Sequence, residues 1–191
     1  MAGIYIHIPF CKQACHYCDF HFSTNIRLKD AMLQAIAEEL RLRQAYLGTV
    51  QVRSLYLGGG TPSLLEAPAL EKLLELVRQS FSLHTAAEVT LEANPDDLTL
   101  AKLQAYKALG INRLSIGVQS FQDSVLRYLN RAHDSAQALT SVALARKAGF
   151  EQLSIDLMYA IPDASPAMWE ADLTTALQLM PEHIAAYCLT I

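Results

Sequence analysis

Several features are scarce or absent in this chain, and each absence excludes a class of protein. Only 4 of the 191 residues are cysteine, too few for a disulfide framework. No apolar run is long enough to cross a bilayer and no signal peptide is evident, which predicts a cytoplasmic protein without a transmembrane segment. The 15 basic and 19 acidic residues are interspersed, so no basic stripe indicates a nucleic-acid partner.

Short apolar segments alternate with amphipathic helical segments along the chain. This alternation is typical of βα units around a parallel sheet, and a hydrophobic content of 52% suits one well-buried domain. We expect six strands, at residues 4–9, 53–58, 88–93, 113–119, 152–159 and 184–190. We expect helices at residues 28–46, 67–81, 99–109, 122–130, 135–148 and 166–180. Thr99, Ser135 and Ser165 are the expected capping residues.

Alternate residues of the predicted strands fall into two sets of different chemistry, and side chains on a strand alternate between its faces. One set is aliphatic: Ile4, Ile6, Ile8, Leu55, Leu57, Val89, Leu91, Leu114, Ile116, Val118, Leu153, Ile155 and Leu157. The other set is polar, small or aromatic: Tyr5, His7, Ser54, Tyr56, Gly58, Thr90, Glu92, Asn94, Ser115, Gly117, Gln119, Ser154 and Asp156. Helices must cover the aliphatic set, because unpartnered polar groups beneath a helix are costly. The polar set therefore faces inward.

A polar interior differs from that of a closed eight-stranded barrel, which fills its centre with branched aliphatic side chains. The pattern predicts an α/β fold: a partial, six-unit TIM-like barrel with a parallel sheet, outer helices and a cavity that holds a ligand. A satisfied polar network without a ligand is the alternative. Glu92, Gln119 and Asp156 lie towards the carboxyl ends of their strands, where parallel α/β folds place their sites.

Three cysteines, Cys11, Cys15 and Cys18, follow the first predicted strand with the spacing Cys-x3-Cys-x2-Cys. Three close thiolates can hold an iron-sulfur cluster by three of its irons and leave the fourth iron open to a small molecule. A zinc site completed by His16 and His21 is the alternative. That alternative would make the chain a zinc-stabilised binding module without redox activity.

Aromatic residues surround the three cysteines in the sequence. We expect Phe10, Tyr17, Phe20 and Phe22 to screen a cluster from water. The fourth cysteine, Cys188, lies in an apolar run, where we expect a small buried hydrophobic residue rather than a ligand.

A glycine-rich segment, Gly58-Gly59-Gly60-Thr61-Pro62, follows the second predicted strand. Three glycines remove side chains where a backbone must come close to a bound molecule. No Gly-Lys-Ser/Thr follows, so the segment is not a phosphate-binding P-loop. A tight turn is the alternative.

The cysteine triplet and the Gly-Gly-Gly-Thr-Pro segment together resemble the radical S-adenosylmethionine (SAM) superfamily. Residues 5–11 (Tyr-Ile-His-Ile-Pro-Phe-Cys) and 117–121 (Gly-Val-Gln-Ser-Phe) are similar to its oxygen-independent coproporphyrinogen III oxidase branch. The resemblance covers essentially the whole chain and implies one radical SAM core domain over residues 1–191. In that superfamily a 4Fe-4S cluster on three cysteines binds SAM at its fourth iron, and reduction of the cluster cleaves SAM to a radical.

The resemblance also implies roles for particular residues. The cluster ligands fall on Cys11, Cys15 and Cys18. The SAM contacts fall on Tyr5, Tyr17, Gly59, Gly60, Thr61, Glu92, Gln119, Arg131 and Asp156. Without the resemblance, Arg131 would be interpreted as an exposed charge after a helix. No catalytic side chain is implied, and productive cleavage of SAM stays open.

Phe20 separates two branches of this resemblance. The oxidases carry another cysteine at this position, whereas Phe20 is similar to the residue of HemW-type haem chaperones, which bind haem and deliver it to respiratory proteins. The resemblance therefore implies a haem chaperone, with coproporphyrinogen III oxidase as the alternative. The implied partners are haem or a porphyrin, an electron donor such as flavodoxin or ferredoxin, and a haem-accepting respiratory protein.

The end of the chain falls inside the predicted sixth strand, with no helix to cover it. An uncovered strand is an unusual natural terminus, so we expect a fragment that is truncated at the C-terminus. The resemblance implies that a C-terminal domain and most of the haem-binding part lie in the missing portion.

Overall fold

The six apolar segments form one parallel sheet. In the computed structural model, which describes residues 2–190, the strands are β1 (Ala2–Ile8), β2 (Val52–Gly59), β3 (Leu83–Ala93), β4 (Arg113–Gln119), β5 (Gln152–Tyr159) and β6 (His183–Cys188). They lie side by side in chain order, each parallel to the next. Parallel neighbours need a crossover connection, so a helical segment follows each strand from β1 to β5.

Six helices make these crossovers close to their predicted positions. They are α1 (Lys29–Leu42), α2 (Ala67–Ser80), α3 (Leu100–Ala108), α4 (Asp123–Tyr128), α5 (Ser135–Lys147) and α6 (Pro166–Gln178). Short 3-10 turns lie at Ile26–Leu28, Pro62–Leu64 and Pro95–Asp97. Among residues 2–190, no helix is both long and apolar enough to span a membrane.

Two predicted boundaries were wrong by more than two residues. Helix α1 ends at Leu42 rather than at residue 46, because the next residues form successive turns with i to i+3 hydrogen bonds that close at Gly48 (φ 54°). Strand β3 begins at Leu83 rather than at residue 88, because Leu83 pairs with Val52 before the register shifts along β2. Neither difference changes the order of the elements.

The predicted capping residues are confirmed for two helices and wrong for a third. Thr99 and Ser165 accept hydrogen bonds from backbone N–H groups in the first turns of α3 and α6. Asp134, not Ser135, caps α5: its carboxylate accepts from the Gln137 N–H at 2.8 Å, while the Gln137 side chain accepts from the Asp134 N–H at 3.1 Å. This reciprocal pair satisfies two N–H groups that the helix itself leaves free.

The two sets of strand residues lie on opposite faces, as predicted. The aliphatic set is almost entirely buried beneath the helices, and Leu57, Leu91, Leu114 and Ile155 are fully buried there. Ile4, on the edge strand β1, is only partly buried. Burial of these side chains supplies most of the favourable free energy of folding and leaves the polar set on the opposite face.

Strand β4 ends in an irregularity that changes the direction of the chain. The pairing with β5 shifts register between Gly117 and Gln119, and Gln119 adopts a left-handed backbone conformation with φ 68°. That conformation is unfavourable for a residue with a Cβ, so the surrounding structure must hold it in place.

Asp172 of α6 holds the segment that follows Gln119. Its buried carboxylate accepts hydrogen bonds from the Ser120 hydroxyl at 2.6 Å, the Phe121 N–H at 2.9 Å and the Gln122 side-chain amide at 3.2 Å. Hydrogen bonds to a charged acceptor are stronger than neutral ones. The carboxylate thus fixes three consecutive residues directly after the strained Gln119.

Replacing Asp172 with Ala is expected to lower the free energy of unfolding by about 3 kcal/mol, because three donors lose their acceptor in a buried site. Urea denaturation followed by circular dichroism measures the change. Glu75→Ala is the matched control, since Glu75 is an exposed acidic residue on helix α2. A loss for Asp172→Ala no larger than that of the control would contradict this role.

Candidate functional site

The polar face of the sheet borders a cavity of about 700 Å³. Its lining comes from the loop after β1, from the carboxyl-end residues of β2 to β5 and from residues 187–190 at the end of β6. The sheet must therefore curl, because residues next to both edge strands border the same space. The curl and the outer helices make a partial barrel of six parallel strands, as predicted, with helical segments after the first five strands.

Eleven of the twelve predicted site residues line this cavity. They are Cys11, Cys15, Tyr17, Cys18, Gly59, Gly60, Thr61, Glu92, Gln119, Arg131 and Asp156. Tyr5 is not among the lining residues. It is 57% exposed, stacks on Tyr56 with ring centroids 5.9 Å apart, and hydrogen-bonds through its hydroxyl to His7 Nδ1 at 3.1 Å.

The three cysteines lie on one loop, and two of their sulfur atoms accept hydrogen bonds. The Thr61 hydroxyl donates to Cys11 Sγ at 3.5 Å, and Arg131 Nη1 donates to Cys15 Sγ at 3.4 Å. Burial raises the pKa of the thiols of Cys11 and Cys18, and repulsion from the neighbouring cysteines adds to the effect. These thiols need a positively charged group beside them to become thiolates at neutral pH.

The described residues hold no group of donors arranged for a single metal ion. Within residues 2–190, no three His, Cys, Asp or Glu side chains converge on a point that suits one metal ion. A 4Fe-4S cluster does not need such convergence, because each thiolate binds a different iron. His16 Nδ1 bonds the Tyr128 carbonyl at 2.8 Å, and His21 lines a different cavity. The geometry therefore gives no support to a zinc site completed by these two histidines.

Arg131 joins the cysteine loop to the sheet, so its interpretation as an exposed charge was wrong. Its Nη1 also donates to the Tyr17 hydroxyl at 3.1 Å, and its Nη2 donates to Asn94 Oδ1 and to the Gly117 carbonyl, both at 2.8 Å. A guanidinium that is withdrawn from water needs acceptors, and the partly buried Arg131 finds them on the cysteine loop, β4 and the segment after β3. Its Nε atom is buried without a protein partner.

Glu92 of β3 connects two neighbouring parts of the site. One carboxylate oxygen accepts from the Tyr56 hydroxyl at 2.8 Å and the other from the Gly59 N–H at 3.0 Å. The side chain therefore lies against the glycine-rich segment. This contact holds one carboxylate at the cavity wall in a defined position.

The protein itself occupies the space that the glycines leave open. Gly59 has a φ of 115°, and a Cβ there would lie 2.6 Å from the His7 ring. A Cβ on Gly60 would lie 2.8 Å from the backbone of Phe10. Side chains at these positions are excluded because the segment packs against the exit of β1, and both glycines also line the cavity.

A second carboxylate lies close enough to Glu92 for the two to interact electrostatically. Burial raises the pKa of Asp156 to about 6, and the negative charge of Glu92 acts in the same direction. The Ser115 hydroxyl donates to Asp156 at 3.2 Å and opposes the shift. The cavity therefore holds two acidic groups that resist being charged together.

Three expectations about individual residues need correction. Cys188 is exposed and lines the cavity, so it is not the buried hydrophobic residue expected from its apolar neighbours. Phe10 is buried in the main hydrophobic core rather than beside the cavity. Phe20 lines the cavity but is 74% exposed, so it screens little. Tyr17 and Phe22 line the cavity as expected.

The predicted site omitted two lining residues that bond its members. Asn94 accepts from Arg131 and donates to the Thr61 hydroxyl at 3.4 Å, and Ser115 donates to Asp156. Asn94 and Ser115 both belong to the inward-facing set, and neither is part of a recognised motif. The alternation of strand residues was therefore the only feature of the sequence that could have identified them. Lys12, also at the cavity, forms ion pairs with Asp96 and Asp97.

One known superfamily matches the chain over most of its length. The model of the radical SAM superfamily matches residues 5–176. The chain belongs to the radical SAM superfamily. Membership implies a 4Fe-4S cluster and SAM as cofactors, and the cavity with its three cysteines is consistent with both.

Curated relatives in the superfamily include heme chaperones. The chain is 38% identical over 193 residues to the heme chaperone HemW of Bacillus subtilis and 40% identical over 191 residues to that of Escherichia coli. These alignments cover 100% and 99% of this chain, but 51% and 50% of the relatives. The chain thus spans about half the length of the curated relatives it matches.

The coproporphyrinogen III oxidase HemN of Escherichia coli, a radical SAM enzyme, has a similar structure. It matches 98% of this chain and 44% of its own chain with a TM-score of 0.91 and 31% identity. A radical SAM methyltransferase from Kitasatospora setae, solved with a [4Fe-4S] cluster and cobalamin bound, matches at a TM-score of 0.65 and 12% identity. These matches confirm the predicted radical SAM core fold.

Replacing Asp156 with Asn is expected to change how the stability of the cofactor-free protein depends on pH. The folded pKa of about 6 lies above that of an unfolded aspartate, about 3.9, so the unfolded chain loses this proton first as the pH rises. Asp156 therefore lowers the free energy of unfolding progressively between about pH 4 and 6, by at most about 3 kcal/mol. The Asn variant lacks this loss.

Urea unfolding of both proteins between about pH 4 and 8 measures the difference. Burial lowers the pKa of His133 to about 4. In part of this pH range His133 therefore makes the free energy of unfolding of both proteins rise with pH, opposite to the effect of Asp156. The quantity to compare is therefore the difference between the two proteins at each pH. A difference that stays constant across the range would contradict the shifted pKa of Asp156.

Proposed function

We propose that residues 1–191 form one radical SAM core domain of a cytoplasmic haem chaperone. One observation carries the proposal: the three closely spaced cysteines, the Arg131 guanidinium and the carboxylates of Glu92 and Asp156 line the same cavity of about 700 Å³. These groups match the chemistry of an iron-sulfur cluster and of SAM, which combines an amino group, a carboxylate and a sulfonium. A cavity of this size lies in the usual range for small-molecule sites.

In this proposal Cys11, Cys15 and Cys18 hold the 4Fe-4S cluster. All three cysteines line the cavity, and hydrogen bonds from Thr61 and Arg131 reach the sulfur atoms of Cys11 and Cys15. Such hydrogen bonds orient the ligands and influence the potential of a bound cluster. When bound, the cluster supplies an electron for cleavage of a carbon-sulfur bond of SAM.

The SAM contacts are proposed to come from residues on every side of the cavity and from the adjacent β1. They are Tyr5, Tyr17, Gly59, Gly60, Thr61, Glu92, Gln119, Arg131 and Asp156. The carboxylates suit the amino and sulfonium groups of SAM, and the guanidinium of Arg131 suits its carboxylate. The protein thereby binds and orients the cofactor and leaves the bond-breaking chemistry to it.

Haem chaperone activity is proposed from the curated relatives and from Phe20. The relatives at 38% and 40% identity are named heme chaperones, and Phe20 puts no thiol at the cavity edge where the oxidases have a cysteine. The full-length protein would bind haem and pass it to a respiratory protein, with flavodoxin or ferredoxin as the electron donor. Oxidation of coproporphyrinogen III is the second candidate, supported by the TM-score of 0.91 to HemN.

Replacing Cys15 with Ala is expected to abolish cluster assembly, because a cluster held by three thiolates loses one of them and the hydrogen bond from Arg131. Iron and acid-labile sulfide are measured after anaerobic reconstitution. Cys188→Ser is the matched control, since Cys188 lines the same cavity and is not a proposed ligand. Full iron and sulfide in Cys15→Ala, or their loss in Cys188→Ser, would contradict the ligand assignment.

Haem titration of the full-length protein that carries this chain separates the two candidate functions. A chaperone is expected to bind haem stoichiometrically, as seen by a shifted Soret band, and to leave coproporphyrinogen III unchanged in the presence of SAM and a reductant. Turnover of coproporphyrinogen III without stoichiometric haem binding would overturn the chaperone assignment in favour of the oxidase.

A further inference from the structure

The cysteine loop, residues 11–18, has little apolar packing of its own. No residue from 11 to 20 is fully buried, and the loop contains neither helix nor strand. Its one internal backbone hydrogen bond joins the Cys18 N–H to the Cys15 carbonyl at 3.2 Å. Its main apolar contact is that of Tyr17, which packs against a small cluster of Val125, Leu129, Met158 and Ile161. The rest of the loop is held by polar contacts with other parts of the chain.

One short segment, residues 128–131 at the end of α4, supplies most of these contacts, and we name it the tether. The His16 N–H donates to the Leu129 carbonyl at 3.1 Å, and the His16 ring bonds the Tyr128 carbonyl at 2.8 Å. Arg131, the last residue of the tether, donates to Cys15 and Tyr17. The tether therefore contacts the loop through both its backbone and its side chains.

Asn130 makes a reciprocal pair with the middle of the loop. Its side-chain Nδ2 donates to the Ala14 carbonyl at 2.7 Å, and its own carbonyl accepts from Gln13 Nε2 at 2.7 Å. Ala14 directly precedes Cys15 in the chain. The Asn130 side chain thus holds the backbone one residue away from a proposed cluster ligand.

The backbone conformation of Asn130 allows the role of its side chain to be tested separately. Its φ of 54° lies in the left-handed region, which glycine adopts without strain and asparagine more readily than most residues. Glycine would therefore suit the backbone equally well. What asparagine adds at this position is the amide that reaches Ala14.

We infer that Asn130 is a positioning residue that holds the cysteine loop against Arg131 and thereby slows the loss of the cluster. This inference rests on the proposed function, because it concerns the loop that carries the proposed cluster ligands. It assigns a role to the Asn130 amide in addition to the contacts of Arg131. Without that amide, the loop opens more often and exposes Cys15 to solvent.

Two variants of the full chain remove the amide donor in different ways. Asn130→Gly keeps the backbone conformation and deletes the side chain, whereas Asn130→Asp keeps the shape and replaces the donor by an acceptor. Asp163→Gly is the matched control: Asp163 is also left-handed, with φ 63°, but is exposed and does not line the cavity. The control accounts for the general cost of a new glycine.

The first measurement is the rate at which the reconstituted protein loses iron to a chelator under anaerobic conditions. Both Asn130 variants are expected to start with the same iron and sulfide content as the parent and to lose iron about three- to tenfold faster, as removal of one neutral hydrogen bond predicts. Asp163→Gly is expected to match the parent. Equal rates in all four proteins, or a faster rate in Asn130→Gly alone, would overturn the inference.

The second measurement is hydrogen-deuterium exchange of the metal-free protein, which tests the same claim without a cluster. Amides of residues 11–18 are expected to exchange faster in both Asn130 variants, with the sheet strands unchanged. If the parent assembles no cluster but the loop exchanges faster in the variants, the proposed function fails and the positioning role stands. Unchanged exchange in both variants would refute the positioning role.

Discussion

The site depends on the hydrogen bonds of one partly buried guanidinium, that of Arg131. A buried positive charge without acceptors is costly, and Arg131 finds four acceptors: Cys15 Sγ, the Tyr17 hydroxyl, Asn94 Oδ1 and the Gly117 carbonyl. These atoms come from the cysteine loop, the segment directly after β3 and strand β4. Segments that are distant in sequence must therefore meet around this side chain, and their meeting closes the wall of the cavity between the loop and the sheet.

The sequence alone predicted the sheet and the inward-facing residues, for a simple physical reason. In a parallel sheet with helices on one face, strand residues must alternate between an apolar covered side and an open side. The alternation of Leu55, Leu57 and their equivalents with Tyr56, Glu92 and Asp156 therefore specified both the core and the cavity wall. The cysteine spacing and the glycine-rich segment identified the family, because the two motifs together suit few kinds of site.

Other features could not be predicted because they depend on contacts across the fold. The burial of Arg131 follows from acceptors more than ten residues away, and its sequence neighbours give no sign of them. Cys188 lies in an apolar run but is exposed and lines the cavity. Its strand, β6, is at the edge of the sheet, so one side of the strand has no neighbouring strand to cover it. Phe10 was expected to screen the cysteines, yet it is only 2% exposed and packs in the main hydrophobic core.

The charges around the cavity bear on how the proposed cluster and SAM would be held. Burial raises the pKa values of the Cys11 and Cys18 thiols and of Asp156, so in the cofactor-free site these groups hold their protons to a higher pH than exposed groups do. In the site that we propose, a metal group bound by the thiols would displace their protons, and the cationic sulfonium of SAM would favour the ionised form of Asp156. Loading of the proposed site would therefore be coupled to proton release and would become more favourable as the pH rises. Burial disfavours ionised thiols and carboxylates when the cavity is empty. When cofactors are bound, the thiolates and carboxylates would depend on pairing with the charges of the cofactors.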